Sequence, residues 1–159
     1  MTLATFHSRL TTDDVLLAGV RAQLGLADAA SVYVGTQPRS PRQATEVLVE
    51  PLAYLPRGED GAGEQTEHRY LLHVWRKAAD GESGSKSGLF GVVDTHAAKL
   101  VAWLDGARPF AAQLPDLICC SAAVEESTPP ETPDEVERVV AVSFLVRGSG
   151  HVPTGLGDA

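Results

Sequence analysis

Residues 81–87, GESGSKS, carry side chains that could hold a phosphate: glycines, hydroxyls and a Lys-Ser pair between an expected strand and an expected helix. A P-loop needs Gly-x-x-x-x-Gly-Lys-Ser/Thr, because glycine amides must wrap the phosphate oxygens. Asp80 and Ser85 stand at the two glycine positions, and Asp80 would repel the ligand. The stretch therefore reads as a solvated loop. The histidines are His7, His68, His73, His96 and His151, and none has a partner at metal-ligand spacing. His68 and His73, on one expected strand, fall on opposite faces, and His96 shares the polar side of a helix with Asp94. Cys119 and Cys120 are adjacent, so a strand sends them to opposite faces. A thiol nucleophile would also need a base and a polarised pocket, and a cysteine between Ile118 and Ser121 is ordinarily a small core residue. No Gly-x-Ser-x-Gly elbow occurs. Residues 125–137, EESTPPETPDEVE, gather six carboxylates: Glu125, Glu126, Glu131, Asp134, Glu135 and Glu137. They lack the alternating Asp/Asn and central Gly of a calcium loop. They read as a charged surface connection or, more sharply, as a repulsive lining or a docking arm. No catalytic, metal or cofactor set emerges.

These residues sit in a chain of 159 with formal net charge −8 and 43% hydrophobic residues. That length suits one domain with a proper core. The acidic balance argues against a uniform nucleic-acid-binding surface, which needs clustered Lys and Arg. It does not exclude DNA passing close by, since a negative wall repels phosphate and prevents sticking. The N-terminus MTLATFHSRL has no apolar core of a signal peptide, and no run approaches the ~20 apolar residues that span a bilayer. A cytoplasmic setting with reduced thiols is expected.

The elements follow from spacing. Thr11 and Asp14 have capping-box spacing for a helix over about 12–24, with Leu16, Leu17, Val20 and Leu24 on one face and Gly25 at its end. Ser31–Val34 reads as a short strand closed by Gly35. GTQPRSPRQ follows as a loop in which Arg39 and Arg42 stay in water, a candidate interaction loop. Glu46–Tyr54 alternates, with Val47, Val49 and Ala53 on one face and Glu46 and Glu50 on the other; Pro51 makes it an edge or bulged strand. Residues 56–67 read as a polar mobile loop. Arg69–Arg76 is a strand with Tyr70, Leu72 and Val74 opposite Leu71, His73 and Trp75. Both its faces are partly apolar, so burial is expected on both, by helices or by a neighbouring subunit. After a loop at 79–88, Phe90, Val93, Ala97, Leu100, Val101 and Leu104 form a helical stripe capped by Gly106. Leu117–Val124 and Val139–Val146 read as an antiparallel pair. Phe90, Val93, Leu100, Leu104, Leu16 and Val20 are expected to pack on one sheet face with Val140, Val142 and Phe144.

This order resembles that of the tail terminator, or minor tail completion, proteins of long-tailed bacteriophages, the lambda-like tail terminator family. The elements are Thr11–Leu24, Val32–Gly35, Val47–Tyr54 with Pro51, Tyr70–Arg76, Leu89–Leu104 and the hairpin Leu117–Val124 with Val139–Arg147. The local signature is the strand from Tyr70 through Val-Trp-Arg at 74–76, a loop, and the helix Val92–Leu104 followed by Gly106. The resemblance covers about residues 10–147, with 148–159 expected as a flexible tail. It implies an α+β domain, a largely antiparallel sheet of four to five strands with two amphipathic helices on one face. It further implies a homohexameric ring in the virion that caps the tail tube, ends its polymerisation and offers the head-joining surface. The partners implied are other copies of the chain, the tail tube protein and a head–tail connector protein, with DNA passing through the lumen. No cofactor, catalytic residue or membrane contact comes with the family. The loop at 79–88 and the acidic connection depart from it. Two alternatives stand beside this reading. One is a head–tail connector or neck-ring component. The other is a small cytoplasmic enzyme, for which a deep pocket lined by His73, Trp75 and Cys119 would speak.

Overall fold

Val140, Val142, Phe144 and Val146 alternate along one strand and are all buried on one side of it, while Ala141, Ser143 and Leu145 between them are only partly covered. That two-residue period puts an apolar face under the helices and leaves the other face to solvent. The computed structural model describes residues 3–60, 63–78, 86–105, 117–125 and 134–147. Its elements are α1 (Leu3–Leu24), β1 (Val32–Val34), β2 (Thr45–Asp60), β3 (Gly63–Lys77), α2 (Lys86–Leu104), β4 (Leu117–Glu125) and β5 (Glu135–Arg147). The sheet order is β1-β2-β3-β5-β4. Only β1 and β2 are parallel; the other neighbours are antiparallel. The α+β class, the sheet and the packing of two helices against it are as expected.

The core is continuous. Leu16 and Val20 of α1 and Leu89, Val93, Ala97, Leu100 and Leu104 of α2 meet Val47, Val49, Tyr70, Leu72, Val74, Val140, Val142 and Phe144, with Phe90 partly buried against them. Tyr70 also donates its hydroxyl to Asp13 of α1 and meets Phe144 edge-on, with ring centroids 5.9 Å apart. Gly19 lies where α1 crosses α2, and a Cβ there would fall on the Trp103 ring. Gly25 ends α1 with φ +67°, and Leu26 N–H bonds the Arg21 carbonyl at 3.1 Å, closing the helix with the 6→1 bond that a left-handed residue at its end permits.

Several expectations fail for identifiable reasons. Helix α1 begins by Leu3, so Thr11 and Asp14 lie inside it and form no capping box. The stretch 56–67 is not a loop: outside residues 61 and 62, it forms the arms of the long β2–β3 hairpin, paired from Leu55 with Glu67 to Asp60 with Gly63 across a register shift between Pro56 and Glu59. Its polar composition misleads because one face of a hairpin tip can be wholly solvated; Gly58, at φ +86°, serves the second bulge. A first bulge at Leu52 reverses the alternation of β2, so Ala53 pairs with Arg69 and leaves the face of Val47 and Val49. Pro51 sits beyond the last β1–β2 pair, Val34 with Val49, where its missing N–H leaves no ladder bond broken. Helix α2 starts at Lys86, inside the expected loop 79–88. Strand β5 begins at Glu135, not Val139, so Glu125, Glu135 and Glu137 are strand residues and no part of an irregular turn. Gly106, Glu126, Glu131 and residues 148–159 lie outside the described residues.

Candidate functional site

The helix-free face of the sheet is built by the residues between the core positions: Leu48 and Glu50 of β2, Glu67, Arg69, Leu71, His73 and Trp75 of β3, Glu137, Val139, Ala141 and Ser143 of β5, and Ser121 and Ala123 of β4. It divides into four zones along the strands.

At one end the connection 35–44 crosses the face. Parallel neighbours need a crossover, and because β1 has only three residues a short irregular strap can supply it without a helix. The strap is tied down by a buried carboxylate. Glu46, 1% exposed, pairs with Arg42, accepts from the Tyr33 hydroxyl at 3.3 Å and accepts from Gln43 N–H at 3.4 Å. Arg42 also stacks over Trp75, 3.7 Å from the ring centroid, and Arg39 over Tyr33, at 4.4 Å. Arg39 N–H further donates to the Tyr33 hydroxyl at 3.0 Å. The two arginines thus face inward onto their own sheet. Arg39 remains exposed, whereas Arg42 is half-buried and its charge is met within the chain.

Next to the strap, His73 stands between two carboxylates. Its Nε2 is 2.9 Å from Glu50 on β2 and its Nδ1 is 2.8 Å from Glu137 on β5. The hydrogen bond to Glu137, with the bond to Glu50 and both negative charges, raises its pKa against the opposing effect of burial. At the far end Glu67 gathers Arg69 at 2.8 Å, the Ser143 hydroxyl at 2.8 Å and Arg57. These partners, Arg69 first, hold its carboxyl down at about 2.

Between the two polar clusters lies an open groove of about 420 Å³ whose lining includes Leu52, Arg69, Leu71, Ala123, Ala141 and Ser143. Leu52, turned out by the bulge, is 51% exposed. The lining also includes Glu125 and Asp105, and Asp105 accepts the Ala122 N–H at 3.0 Å on β4.

The other candidates are dispersed. His73, Trp75 and Cys119 do not line this groove. Burial, then the neighbouring Cys119 and Asp105, pushes the Cys120 thiol up to about 12, which leaves it protonated and a poor nucleophile. Cys119 is exposed on the other side of the strand. His68 is buried and His96 half-buried against the core side. Among the described residues no group of three or more His, Cys, Asp or Glu is arranged to hold a metal ion, and no helix is long and apolar enough to cross a membrane. Of the acidic set, Glu125, Asp134 and Glu135 stand at the ends of the β4–β5 pair, while Glu137 is engaged by His73. The ties from Arg42 to Glu46 and from His73 to both carboxylates escape sequence reasoning. The alternation places Glu46 and Glu50 on one face and His73 and Trp75 on one face; only the register between strands is lacking.

No protein-family profile matches the chain, and no curated protein does. Among solved structures the chain is similar to a chain in the virion of a native gene transfer agent particle. The two are 20% identical with a TM-score of 0.49, over 82% of this chain and 97% of that one. A second solved chain is 14% identical with a TM-score of 0.47, over 87% of this chain and 92% of that one.

Proposed function

We propose that the chain is a structural subunit of a phage-like virion, a tail terminator that assembles as a homohexameric ring on the head-proximal end of the tail tube. In this reading residues 1–147 are one domain and 148–159 a tail. The observation that carries it is the helix-free sheet face. Both helices are spent on the opposite side, yet this face keeps a groove with an outturned Leu52 and a floor of Leu71, Ala123 and Ala141 between two polar clusters of mixed charge. A surface that is partly apolar, with its flanking clusters engaged in their own ion pairs, suits association with protein more than capture of an ion or metabolite. The element order adds the family resemblance, and with it the partners: neighbouring copies, the tail tube protein and a connector protein, with DNA passing through. Glu125, Glu126, Glu131, Asp134 and Glu135 would then line the lumen or its tube-facing rim. The test is the native mass of the purified chain alone and with tube protein, followed by tube length after its addition during polymerisation. Shortened, capped tubes with six-fold density at one end are expected. Unchanged tube lengths, with no six-fold or three-fold density at the tube end, would overturn the reading.

A further inference from the structure

We propose that Glu50, His73 and Glu137 form a proton-operated clasp that ties β2, β3 and β5 together on the helix-free face when the imidazole carries both ring protons and slackens when it carries one. The clasp belongs to the isolated subunit and stands whatever the chain assembles with.

The geometry leaves little choice of protonation state. His73 has Leu48 and Val139 as its direct cross-strand neighbours, so its ring is flanked by aliphatic groups and reaches diagonally to its partners. One ring nitrogen faces Glu50 at 2.9 Å and the other faces Glu137 at 2.8 Å. A neutral imidazole has one N–H and one lone pair. In that form one carboxylate would face a lone pair, and the tie to its strand would be lost. Only the imidazolium donates to both, and each of those bonds is charge-assisted.

The surrounding charges favour the same state. Strand β2 contributes Glu50 and, on the other side of Leu48, Glu46, which Arg42 of the strap neutralises. Strand β5 contributes Glu137, and β4 brings Glu125 opposite Val139. On β3 itself the flanking Leu71 and Trp75 carry no charge. Arg138 turns to the other face, where it bonds Asp94 at 2.8 Å. Its proton is held by carboxylates on both sides. A histidine whose folded pKa lies above its ordinary 6.5 adds stability that is fully present below that value and is lost as pH rises through the folded pKa. The face is therefore tightest in mild acid and loosest in mild alkali. Slackening would occur at the boundary between the strap and the groove, where His73 bridges Glu50 of β2 and Glu137 of β5.

The experiment is an NMR titration of the His73 ring in the full chain, assigned by its absence in His73→Gln, with urea unfolding from pH 5.5 to 9. The expected midpoint lies above 6.5, and Glu50→Gln and Glu137→Gln each move it down. The wild-type urea midpoint should fall across the titration of His73, and that fall should be absent from His73→Gln. Should His73→Gln not fold, the two Gln variants at the carboxylates carry the test through the midpoint of His73 itself. A midpoint at or below 6.5, an unmoved midpoint in both carboxylate variants, or the same pH dependence with and without His73 would overturn the clasp.

Discussion

The guanidinium of Arg42 lies over the indole of Trp75, 3.7 Å from the ring centroid, while its Nε meets the buried Glu46 four residues along the chain. One side chain thereby covers the largest aromatic on the helix-free face and neutralises the carboxylate beneath the strap. Trp75 is 2% exposed on a face that neither described helix covers. The strap contributes to that burial through Arg42, and with it the strap becomes part of the fold.

Removing Arg42 should therefore destabilise the monomer. Arg42→Ala strands Glu46 with only the Tyr33 hydroxyl and the Gln43 amide, and uncovers Trp75. Breaking a buried ion pair costs about 3–5 kcal/mol; with Arg42 half-exposed, a loss of roughly 2–3 kcal/mol is expected. Adding Glu46→Gln to Arg42→Ala should recover part of it, because the uncompensated charge is then gone. Urea unfolding at pH 7 of the two single variants and the double variant checks this. An Arg42→Ala protein as stable as wild type would show that the strap is not held as described.

The crossing of the two helices makes a second demand. A Cβ at Gly19 would fall on the Trp103 ring, so Gly19→Ala should overpack the crossing by about 1–3 kcal/mol, partly offset by up to about 1 kcal/mol of better helix propensity. A smaller residue in place of Trp103 should relieve the penalty, so a double-mutant cycle with Trp103→Leu should show coupling between the positions. Leu100→Ala, fully buried in the same core, should cost about 2–5 kcal/mol without any such coupling partner.

Acid should release the far end of the hairpin. Glu67 is held at about 2 by Arg69, Ser143 and Arg57, below its ordinary 4.5. A carboxylate with a depressed folded pKa adds stability that is present above its unfolded pKa and lost as pH falls through the folded one. Glu67→Gln should thus flatten the acid limb of the stability curve between about pH 4.5 and 2, at a cost near neutrality of about 1 kcal/mol or less, as for other largely exposed networks. Thermal unfolding of both proteins at several acid pH values measures it. Parallel acid limbs would mean that the network does not hold the carboxylate ionised.

Much of the fold is legible in the sequence, and the limits have physical causes. Period-two alternation identifies both faces of β3, and the helical stripe from Phe90 to Leu104 identifies the buried side of α2. These signals are local, so a chain shows them without its partners. The bulge at Leu52 is legible as a possibility through Pro51, but its consequence for Ala53 is not, because a bulge shifts everything downstream by one residue. The hairpin arms at 56–67 carry little apolar alternation, being stabilised by cross-strand ion pairs such as Arg57 with Glu67 that no period reveals. The His73 and Glu46 clusters each draw on segments brought together only by sheet register, which a single sequence does not print.

Leu52 tests whether the groove is an interface. Its side chain is half in solvent, so Leu52→Asp should change the monomer's stability by no more than about 0.5 kcal/mol. If the groove seats a neighbouring protein, the same change should abolish tube capping or ring formation, because a carboxylate would be desolvated against an apolar partner. Capping at wild-type levels by Leu52→Asp would remove the groove from the assembly surfaces.

The acidic set gives the last prediction. Glu125 and Glu135 stand at the same end of the β4–β5 pair, and Pro129, Pro130 and Pro133 between them supply no backbone donors for strand pairing. In a six-fold ring such residues would repeat as a negative collar. Facing the lumen, the collar would repel duplex DNA in passage and keep it from sticking. Facing a basic partner, it would steer docking, and that steering would weaken with salt. Replacing Glu125, Glu126, Glu131 and Glu135 by Lys separates the two, and Glu137 is left intact because it holds His73. A lumen position predicts normal tails with impaired DNA delivery. A docking position predicts tails that fail to terminate or to join heads, with salt sensitivity in the wild-type assembly. Fully normal particles would reduce the cluster to an ordinary solvated connection, which its strand-end placement alone would also allow.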